Sequence, residues 1–304
     1  MPDLRVALGV EARGAFCAAF DHAQRTIDAE FFSIRDPSLI SQLNAAAQRG
    51  VAVTVHVEGD ADRYKHKGDH IPKRSHVQKT AQLYSHLFDP RVNVIVENDA
   101  QRLEHGKAAA IDDRLALLAT ANANAEGFAC PGEVCVLDDA QPDVAAVRDA
   151  IRNEPRISER IIAGPAAPVR ERIEQLLHSQ HDLRIAVEDL SDRRVIDEII
   201  ARRDSGKHDE VIVKREPRST RAGRLSLLEL SSAGVATRSI GQTFMHDKYI
   251  DTGDSIYVGS ANLTRNGLDE AREIGIIAPA ADFGTGAAAM RADFDRMWSL
   301  AQPV

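Results

Sequence analysis

The stretch that decides the fold is HGKAAAID, residues 105–112, and a similar stretch, HDKYID, occupies residues 246–251. Each copy places a His and a Lys two positions apart, as His105/Lys107 and His246/Lys248. Alternate residues of a β-strand leave the same face of the sheet. If the copies are strands, each His and its Lys point in one direction. The repetition also indicates a chain built from two similar halves.

The sequence after each pair repeats as well. An apolar stretch leads into a turn of small residues that ends in Asn, as ATAN at 119–122 and GSAN at 259–262. A Glu follows each Asn eleven residues later, at Glu133 and Glu273. Asn124 competes with Asn122 for the amide position, but only Asn122 keeps this spacing. A His-x-Lys pair alone carries little information, whereas this ordered set in both halves predicts a functional site.

The set of His, Lys, Asn and Glu resembles the H-x-K-x4-D motif region of the phospholipase D superfamily. Residues 26–60 resemble the strand–helix–strand unit that precedes the motif in that superfamily, and residues 183–190, 195–203 and 209–216 resemble its second copy. The resemblance implies an α/β fold of two pseudo-twofold-related mixed β-sheet units flanked by helices, a phospholipase D-like α/β/α sandwich. It also implies that both motifs meet at one active site, which cleaves a phosphodiester through a phosphohistidine.

The residue types suit phosphoryl transfer without a metal ion or another cofactor. A neutral imidazole can attack phosphorus while a carboxylate holds its other nitrogen. Cationic and amide donors stabilise charge on the non-bridging oxygens. We therefore assign the catalytic set His105, His246, Lys107, Lys248, Asn122, Asn262, Glu133 and Glu273. The hydroxyls of Thr120 and Ser260 in the small-residue turns are assigned to substrate binding.

The two histidines take different roles in such a reaction. One attacks phosphorus, and the other protonates the leaving alcohol and then activates water or an acceptor alcohol. By the resemblance, His105 is the nucleophile and His246 is the general acid. The spacing within each half pairs His105 with Glu133 and His246 with Glu273. The near-symmetry of the two halves leaves the reverse assignment open.

Two departures from the family pattern surround the motifs. In the first copy Asp112 has the position that the motif requires, but Ala-Thr replaces Gly-Ser in the turn. In the second copy Gly-Ser is intact, but Gly253 takes the place of the Asp, between Asp251 and Asp254. Because this Asp is mainly structural in the family, we predict that activity is retained. The roles of Asp251 and Asp254 stay open.

The first half is about 16 residues longer than the second before its motif, and we place the excess in residues 60–82. This segment is rich in Lys, Arg and His, and it is interpreted either as a solvated loop or as a basic lid that recognises a phosphate-bearing substrate. The lid interpretation adds Lys65, Lys67, Lys73 and Arg74 to the substrate-binding residues. The histidine spacing matches no standard zinc pattern, so no metal site is predicted.

The chain divides into a first half at 1–152, a linker at 153–168 that contains Pro and Gly, and a second half at 169–304. With 43% hydrophobic and 5% aromatic residues, the composition fits an α/β protein rich in aliphatic side chains. There is no apolar run of membrane-spanning length, no signal-peptide pattern and no disulfide framework. These features favour a cytoplasmic protein. The net charge of −8 argues against a large sequence-independent DNA-binding surface.

Three functions compete for this sequence. A phospholipase D or phosphatidyl-transferring enzyme is favoured, because two fused motifs are typical of the lipid-acting branch of the superfamily. Its partners are a phospholipid substrate and, transiently, a membrane surface; no obligate protein partner is indicated. A metal-independent nuclease or nucleotide phosphodiesterase is the alternative, since the chain is short and carries the basic segment. A non-catalytic phosphate-binding protein is the least favoured, because the His and Lys of both motifs are intact.

Overall fold

The computed structural model describes residues 4–59, 74–97, 103–130, 132–154, 158–164, 169–215, 221–241 and 245–304. Within these ranges the first half forms one mixed seven-stranded sheet with the strand order β1-β7-β6-β5-β2-β3-β4. Its elements are β1 (Arg5–Leu8), α1 (Val10–His22), β2 (Thr26–Phe31), α2 (Pro37–Gln48), β3 (Ala52–Glu58), α3 (Arg74–Leu87), β4 (Asn93–Glu97), β5 (Lys107–Ile111), β6 (Leu115–Ala119), α4 (Ala125–Ala129), β7 (Val134–Asp138) and α5 (Gln141–Ile151).

The second half forms an eight-stranded sheet with the order β15-β11-β10-β9-β12-β13-β14-β8. Its elements are β8 (Ile161–Ala163), α6 (Val169–Leu177), β9 (Arg184–Val187), α7 (Arg193–Asp204), β10 (Glu210–Arg215), α8 (Arg221–Ser232), β11 (Ala236–Gly241), β12 (Lys248–Asp251), β13 (Ser255–Gly259), β14 (Ile274–Pro279), α9 (Thr285–Leu300) and β15 (Gln302–Pro303). A π-helical turn, Asn266–Glu270, and a 3₁₀ turn, Ala280–Phe283, complete this half.

The two sheets repeat one topology. In each, three parallel strands lie beside an antiparallel run that begins with the motif strand: β2, β3 and β4 beside β5, and β9, β10 and β11 beside β12. Helices of equivalent order follow equivalent strands. This architecture confirms the predicted α/β fold of two related mixed-sheet units.

One predicted boundary is wrong. The proposed linker at 153–168 contains β8, which pairs with β14 in the second sheet as β1 pairs with β7 in the first. The apolar run Ile161–Ala163 is buried, and its hydrogen bonds satisfy the edge of β14. The Pro and Gly residues therefore flank a strand of the second half and do not mark one continuous linker.

The strand–helix–strand units begin their helices in the same way. The side chain of Asp36 accepts hydrogen bonds from the backbone N–H groups of Ser38 and Leu39 at the start of α2. Asp192 does the same for Arg194 and Val195 at the start of α7. Each Asp satisfies N–H groups that have no partner inside the helix, so it fixes where the helix begins after its strand.

The core has three parts. One outer cluster belongs to each half, between its sheet and its outer helices. The central cluster takes side chains from both sheets, and α5 and α9 pack into it. Met290, Phe294 and Met297 of α9 are buried there.

The basic segment is described only in part. Residues 60–73, with Lys65, Lys67 and Lys73 among them, lie outside the described residues. The helix α3 begins at Arg74, whose side chain also lies outside the description. The interpretation of residues 60–82 as a single loop is therefore wrong from residue 74 onwards.

Candidate active site

His105 is held by the opposite half of the molecule. Its backbone N–H donates to the carbonyl oxygen of Arg272 at 3.0 Å. Its ring Nδ1 lies 2.9 Å from Oε1 and 3.0 Å from Oε2 of Glu273. The pairing expected from spacing, His105 with Glu133, is therefore wrong. Spacing within one half cannot reveal a contact that crosses between the halves.

His246 is held in the reciprocal way. Its Nδ1 lies 2.8 Å from the carbonyl oxygen of Thr120 and 3.7 Å from Oε1 of Glu133, both in the first half. Nζ of Lys248 also lies 3.0 Å from this Nδ1, but a carbonyl oxygen can only accept, so the shorter contact favours a proton on Nδ1. The side-chain amide nitrogen of Asn122 lies 3.4 Å from Nε2. The two motifs therefore build one common site, and each histidine is oriented by the other half.

The two motif lysines are buried at this site. Nζ of Lys107 donates to the carbonyl oxygen of His105, and Nζ of Lys248 donates to that of His246, both at 2.7 Å. Burial and then the charge of Lys248 lower the pKa of Lys107 to about 7. The charge of Lys248 disfavours the charged form of Lys107, and an anion placed between the two lysines would reverse this effect.

Burial also governs the protonation of the histidines. It lowers the pKa of His105, and the carboxylate of Glu273 partly opposes this shift. It lowers the pKa of His246 further, and there the opposing carboxylate is Glu188. Burial raises the pKa of Glu133 to about 7. A neutral imidazole beside buried cations is suited to nucleophilic attack, and a histidine whose charge depends on a neighbouring carboxylate is suited to proton transfer.

Glu188 is a site residue that the sequence analysis missed. It directly follows β9, and its Oε2 lies 3.1 Å from Nε2 of His246 and 3.0 Å from Nζ of Lys248. Its Oε1 accepts from Nζ of Lys214 at 2.8 Å. Burial alone would raise the pKa of Glu188, but the charges of His246, Lys248 and Lys214 hold it well below the usual range. The only sequence signal for Glu188 was its position directly after β9, the strand equivalent to β2. A comparison of the halves does not reveal it, because the first half has no acid at that position.

The hydroxyls of Thr120 and Ser260 do not reach the substrate side of the site. Thr120 is fully buried, and its Oγ1 donates to Oε2 of Glu133 at 2.5 Å. Ser260 is equally buried and exchanges hydrogen bonds with the backbone of Ile274. The prediction that these residues bind substrate is therefore wrong. Thr120 orients Glu133, and Ser260 fixes the strand that follows Glu273.

Asn262, the counterpart of Asn122, bonds to a neighbouring backbone group. Its side-chain oxygen accepts from the backbone N–H of Asp189 at 3.2 Å, next to Glu188. Among the described residues, no hydrogen bond joins Asn262 to either motif histidine. The structure thus brings Asn122 into contact with His246 and joins Asn262 to the loop at Asp189.

The aspartates near the motifs bond to neighbouring segments of the chain and hold them in place. Asp112 accepts from three consecutive backbone N–H groups at the start of β2, those of Gln24, Arg25 and Thr26. Asp251 is buried against Arg291, with 2.6 Å between Oδ2 and Nε. Asp254 is exposed and pairs with His181. The Asp251–Arg291 pair thus anchors the second motif strand where the first uses Asp112.

No group of three or more His, Cys, Asp or Glu residues in the described ranges is arranged to hold a metal ion. In the same ranges, every helix is too short or too polar to cross a membrane.

Comparisons with known proteins agree with this fold. The family model described as "Cardiolipin synthase, PLD-like domain" matches residues 16–153 and 173–298. No curated protein matches the chain.

Two solved structures share its fold. Phosphatidylserine synthase from Haemophilus influenzae is 11% identical with a TM-score of 0.69, over 99% of this chain and 87% of that one. Polyphosphate kinase from Porphyromonas gingivalis is 15% identical with a TM-score of 0.61, over 90% of this chain. The chain spans about half of that kinase, 47% of its length. With both motif copies inside the matched residues and joined at one site, the chain belongs to the phospholipase D superfamily, in the cardiolipin synthase, PLD-like domain family.

Proposed function

We propose that this protein hydrolyses or transfers a phosphodiester, with a phospholipid as the favoured substrate, through a phosphohistidine at His105. One observation carries the proposal: each motif histidine has its Nδ1 held by an acceptor from the opposite half, beside the two buried lysines. A scaffold that only bound phosphate would need the cations but not two oriented imidazoles.

In the first step Nε2 of His105 attacks phosphorus. Glu273 accepts the hydrogen bond of Nδ1–H and so keeps the lone pair on Nε2. The bond between phosphorus and the leaving oxygen breaks, its electrons stay on that oxygen, and His246 supplies the proton. Lys107 and Lys248 stabilise the charge on the non-bridging oxygens.

In the second step a water molecule or an acceptor alcohol attacks the phosphohistidine. Its proton passes to Nε2 of His246, which the first step left neutral. The bond from phosphorus to Nε2 of His105 breaks, and its electrons return to the imidazole. Hydrolysis and transfer differ only in the acceptor that enters, so one site can perform both.

Three observations support a phospholipid as the substrate. The family model that matches the chain is that of cardiolipin synthase, and a structure with the same fold is phosphatidylserine synthase. Leu225 and Leu228 are 54% and 55% exposed, three residues apart on one face of α8. The helix α8 follows β10, which carries Lys214 of the site, so this apolar face fits transient contact with a membrane surface.

The experiment is a substrate screen with the purified protein in chelator. Phospholipid vesicles, single-stranded DNA, RNA and bis-p-nitrophenyl phosphate are each incubated with wild type, His105→Ala and His246→Ala. We expect diester cleavage that persists in chelator and falls by orders of magnitude in both variants. Cleavage of nucleic acid but not of vesicles would favour the nuclease alternative. Activity that needs added magnesium or zinc, or that survives both substitutions, would contradict the proposal.

A further inference from the structure

The two halves place different residues beside their histidines. Phe31 pairs with Lys107 across β2 and β5, and Val187 pairs with Lys248 across β9 and β12. The next residues, Phe32 and Glu188, therefore occupy equivalent positions. The Phe32 ring meets the His105 ring edge-on, with centroids 5.5 Å apart. The second half places a carboxylate where the first half places an aromatic ring.

The carboxylate of Glu188 favours a second proton on the His246 ring. Its Nδ1 faces the carbonyl oxygen of Thr120, and its Nε2 faces Oε2 of Glu188. Both ring nitrogens thus face an acceptor, which is the arrangement that an imidazolium satisfies; Nζ of Lys248, 3.0 Å from Nδ1 and 3.4 Å from Nε2, opposes that charge. His105 has its acceptor, Glu273, on Nδ1, and among the described residues no hydrogen-bond acceptor faces its Nε2.

Glu188 is itself fixed in place. Lys214 holds Oε1 at 2.8 Å, and Lys248 holds Oε2 at 3.0 Å. Its side chain is 21% exposed, so water screens these contacts only in part. Glu188 therefore keeps both lysines as partners when its contact with His246 is lost. Nε2 of His246 can then bond to an incoming substrate oxygen.

We infer that Glu188 is a positioning residue that holds the proton on Nε2 of His246, and that it thereby makes the second half the proton donor and the first half the nucleophile. This inference rests on the proposed function for its catalytic consequence, but its structural part is independent of it. In the first step the proton leaves Nε2 for the leaving oxygen, and the Glu188 carboxylate stays paired with Lys214 and Lys248. In the second step the proton taken from water returns to the same nitrogen.

Other charges around His246 act against its protonation. Five charged groups surround His246. Glu188 lies on the Nε2 side, and the more distant Glu133 lies on the Nδ1 side. The other three are the cations Lys248, Lys107 and Lys214. Burial and the three lysines lower the pKa of His246, and Glu188 raises it. Removing the Glu188 charge therefore makes His246 harder to protonate.

The direct test measures the protonation of His246 without using activity. Protein labelled with ¹⁵N at histidine is titrated by NMR, and the His246 signals are identified by their loss in His246→Ala. We expect the His246 titration midpoint to move to lower pH in Glu188→Gln, and to move less in Glu188→Asp, which keeps the charge. Glu198→Gln is the matched control, because Glu198 pairs with the exposed His178 outside the site. An unchanged His246 midpoint in Glu188→Gln would overturn the inference.

The kinetic test compares leaving groups. For a diester with an alkyl leaving group, we expect kcat/KM of Glu188→Gln to fall about 10²-fold, with the basic limb of the pH profile moved to lower pH. For a p-nitrophenyl leaving group the loss should be small, because that group departs without a proton. Equal losses for both leaving groups would overturn the inference. If the wild type cleaves no diester, the proposed function fails, and the titration still decides the role of Glu188.

Discussion

The carboxylate of Glu273 lies 2.9 Å from Nδ1 of His105, although 168 residues separate them along the chain. The reciprocal contact, Glu133 near Nδ1 of His246, is longer at 3.7 Å. Each half therefore supplies a carboxylate to the histidine of the other. We regard this exchange as the feature that makes the two motifs a single catalytic unit.

Replacing Glu273 with Gln should therefore impair the nucleophile. The amide can donate to Nδ1 and stabilise the tautomer in which Nε2 carries the proton and cannot attack. We expect phosphohistidine formation to slow by about 10²- to 10⁴-fold for good and poor leaving groups alike. Rapid-mixing kinetics with a p-nitrophenyl diester measures this step. Glu133→Gln is the comparison, and a larger loss of that step in Glu133→Gln would show that the pairing within each half governs catalysis after all.

The assignment of roles predicts which intermediate can be trapped. In His246→Ala an activated diester still loses p-nitrophenolate without an acid, but no base remains to activate water. Phosphorylated His105 should accumulate and be detectable by mass spectrometry of peptides prepared at alkaline pH. Phosphohistidine at His246 in the His105→Ala variant would reverse the assignment.

The lowered pKa of Lys107, about 7, predicts how anion binding depends on pH. Below this pH the lysine is charged and attracts an anion; above it, the lysine is increasingly neutral. Affinity for tungstate should therefore weaken as the pH rises through 7, which calorimetric titration can measure. Lys107→Met should flatten this dependence, and a wild-type affinity that stays constant from pH 6 to pH 8 would contradict the prediction.

A buried ion-pair network behind the site predicts a loss of stability. Arg272 contacts Glu30 at 3.3 Å and Glu104 at 2.7 Å. Burial and then the charge of Glu30 raise the pKa of Glu104, so these two neighbouring carboxyls are not both charged without the Arg272 cation. Arg272→Met leaves Glu30 without its cation and should lower the free energy of unfolding by about 3–5 kcal/mol. Urea denaturation measures this change. Arg265→Met, at an exposed ion pair, is the control and should cost less than about 1 kcal/mol.

The exposed apolar face of α8 predicts membrane contact. Leu225→Ser/Leu228→Ser should reduce sedimentation with phospholipid vesicles and lower activity on vesicles, while activity on bis-p-nitrophenyl phosphate stays unchanged. Leu300→Ser is the matched control, because Leu300 is 60% exposed at the end of α9. Vesicle binding that is equal in all three proteins would exclude this face as the contact surface.

The repeated motif and the resemblance of the segments before it to the superfamily's strand–helix–strand unit were enough to predict most of the fold, including the two related sheets. The strand β8 was missed because a three-residue strand between Pro- and Gly-containing segments is too short to leave a pattern. Its pairing with β14 is a long-range contact that no local signal encodes.

The sequence predicted the His and Lys residues that the structure brings together, but not how the histidines pair with the glutamates. The repeat identified His105, His246 and both lysines, because they recur at fixed positions. A search for residues that recur in both halves could not find Glu188, because the equivalent residue of the first half is Phe32. Likewise Thr120 and Ser260 stand beside catalytic residues in the chain, yet the turn directs their hydroxyls into the protein interior.

The central cluster of buried side chains, contributed by both sheets, has a consequence for how the molecule unfolds. Separating the halves would expose this apolar surface on each of them, so neither half can lose its structure without destabilising the other. The duplicated chain should therefore melt in one cooperative transition, and a destabilising change far from the site in either half should release both histidines together.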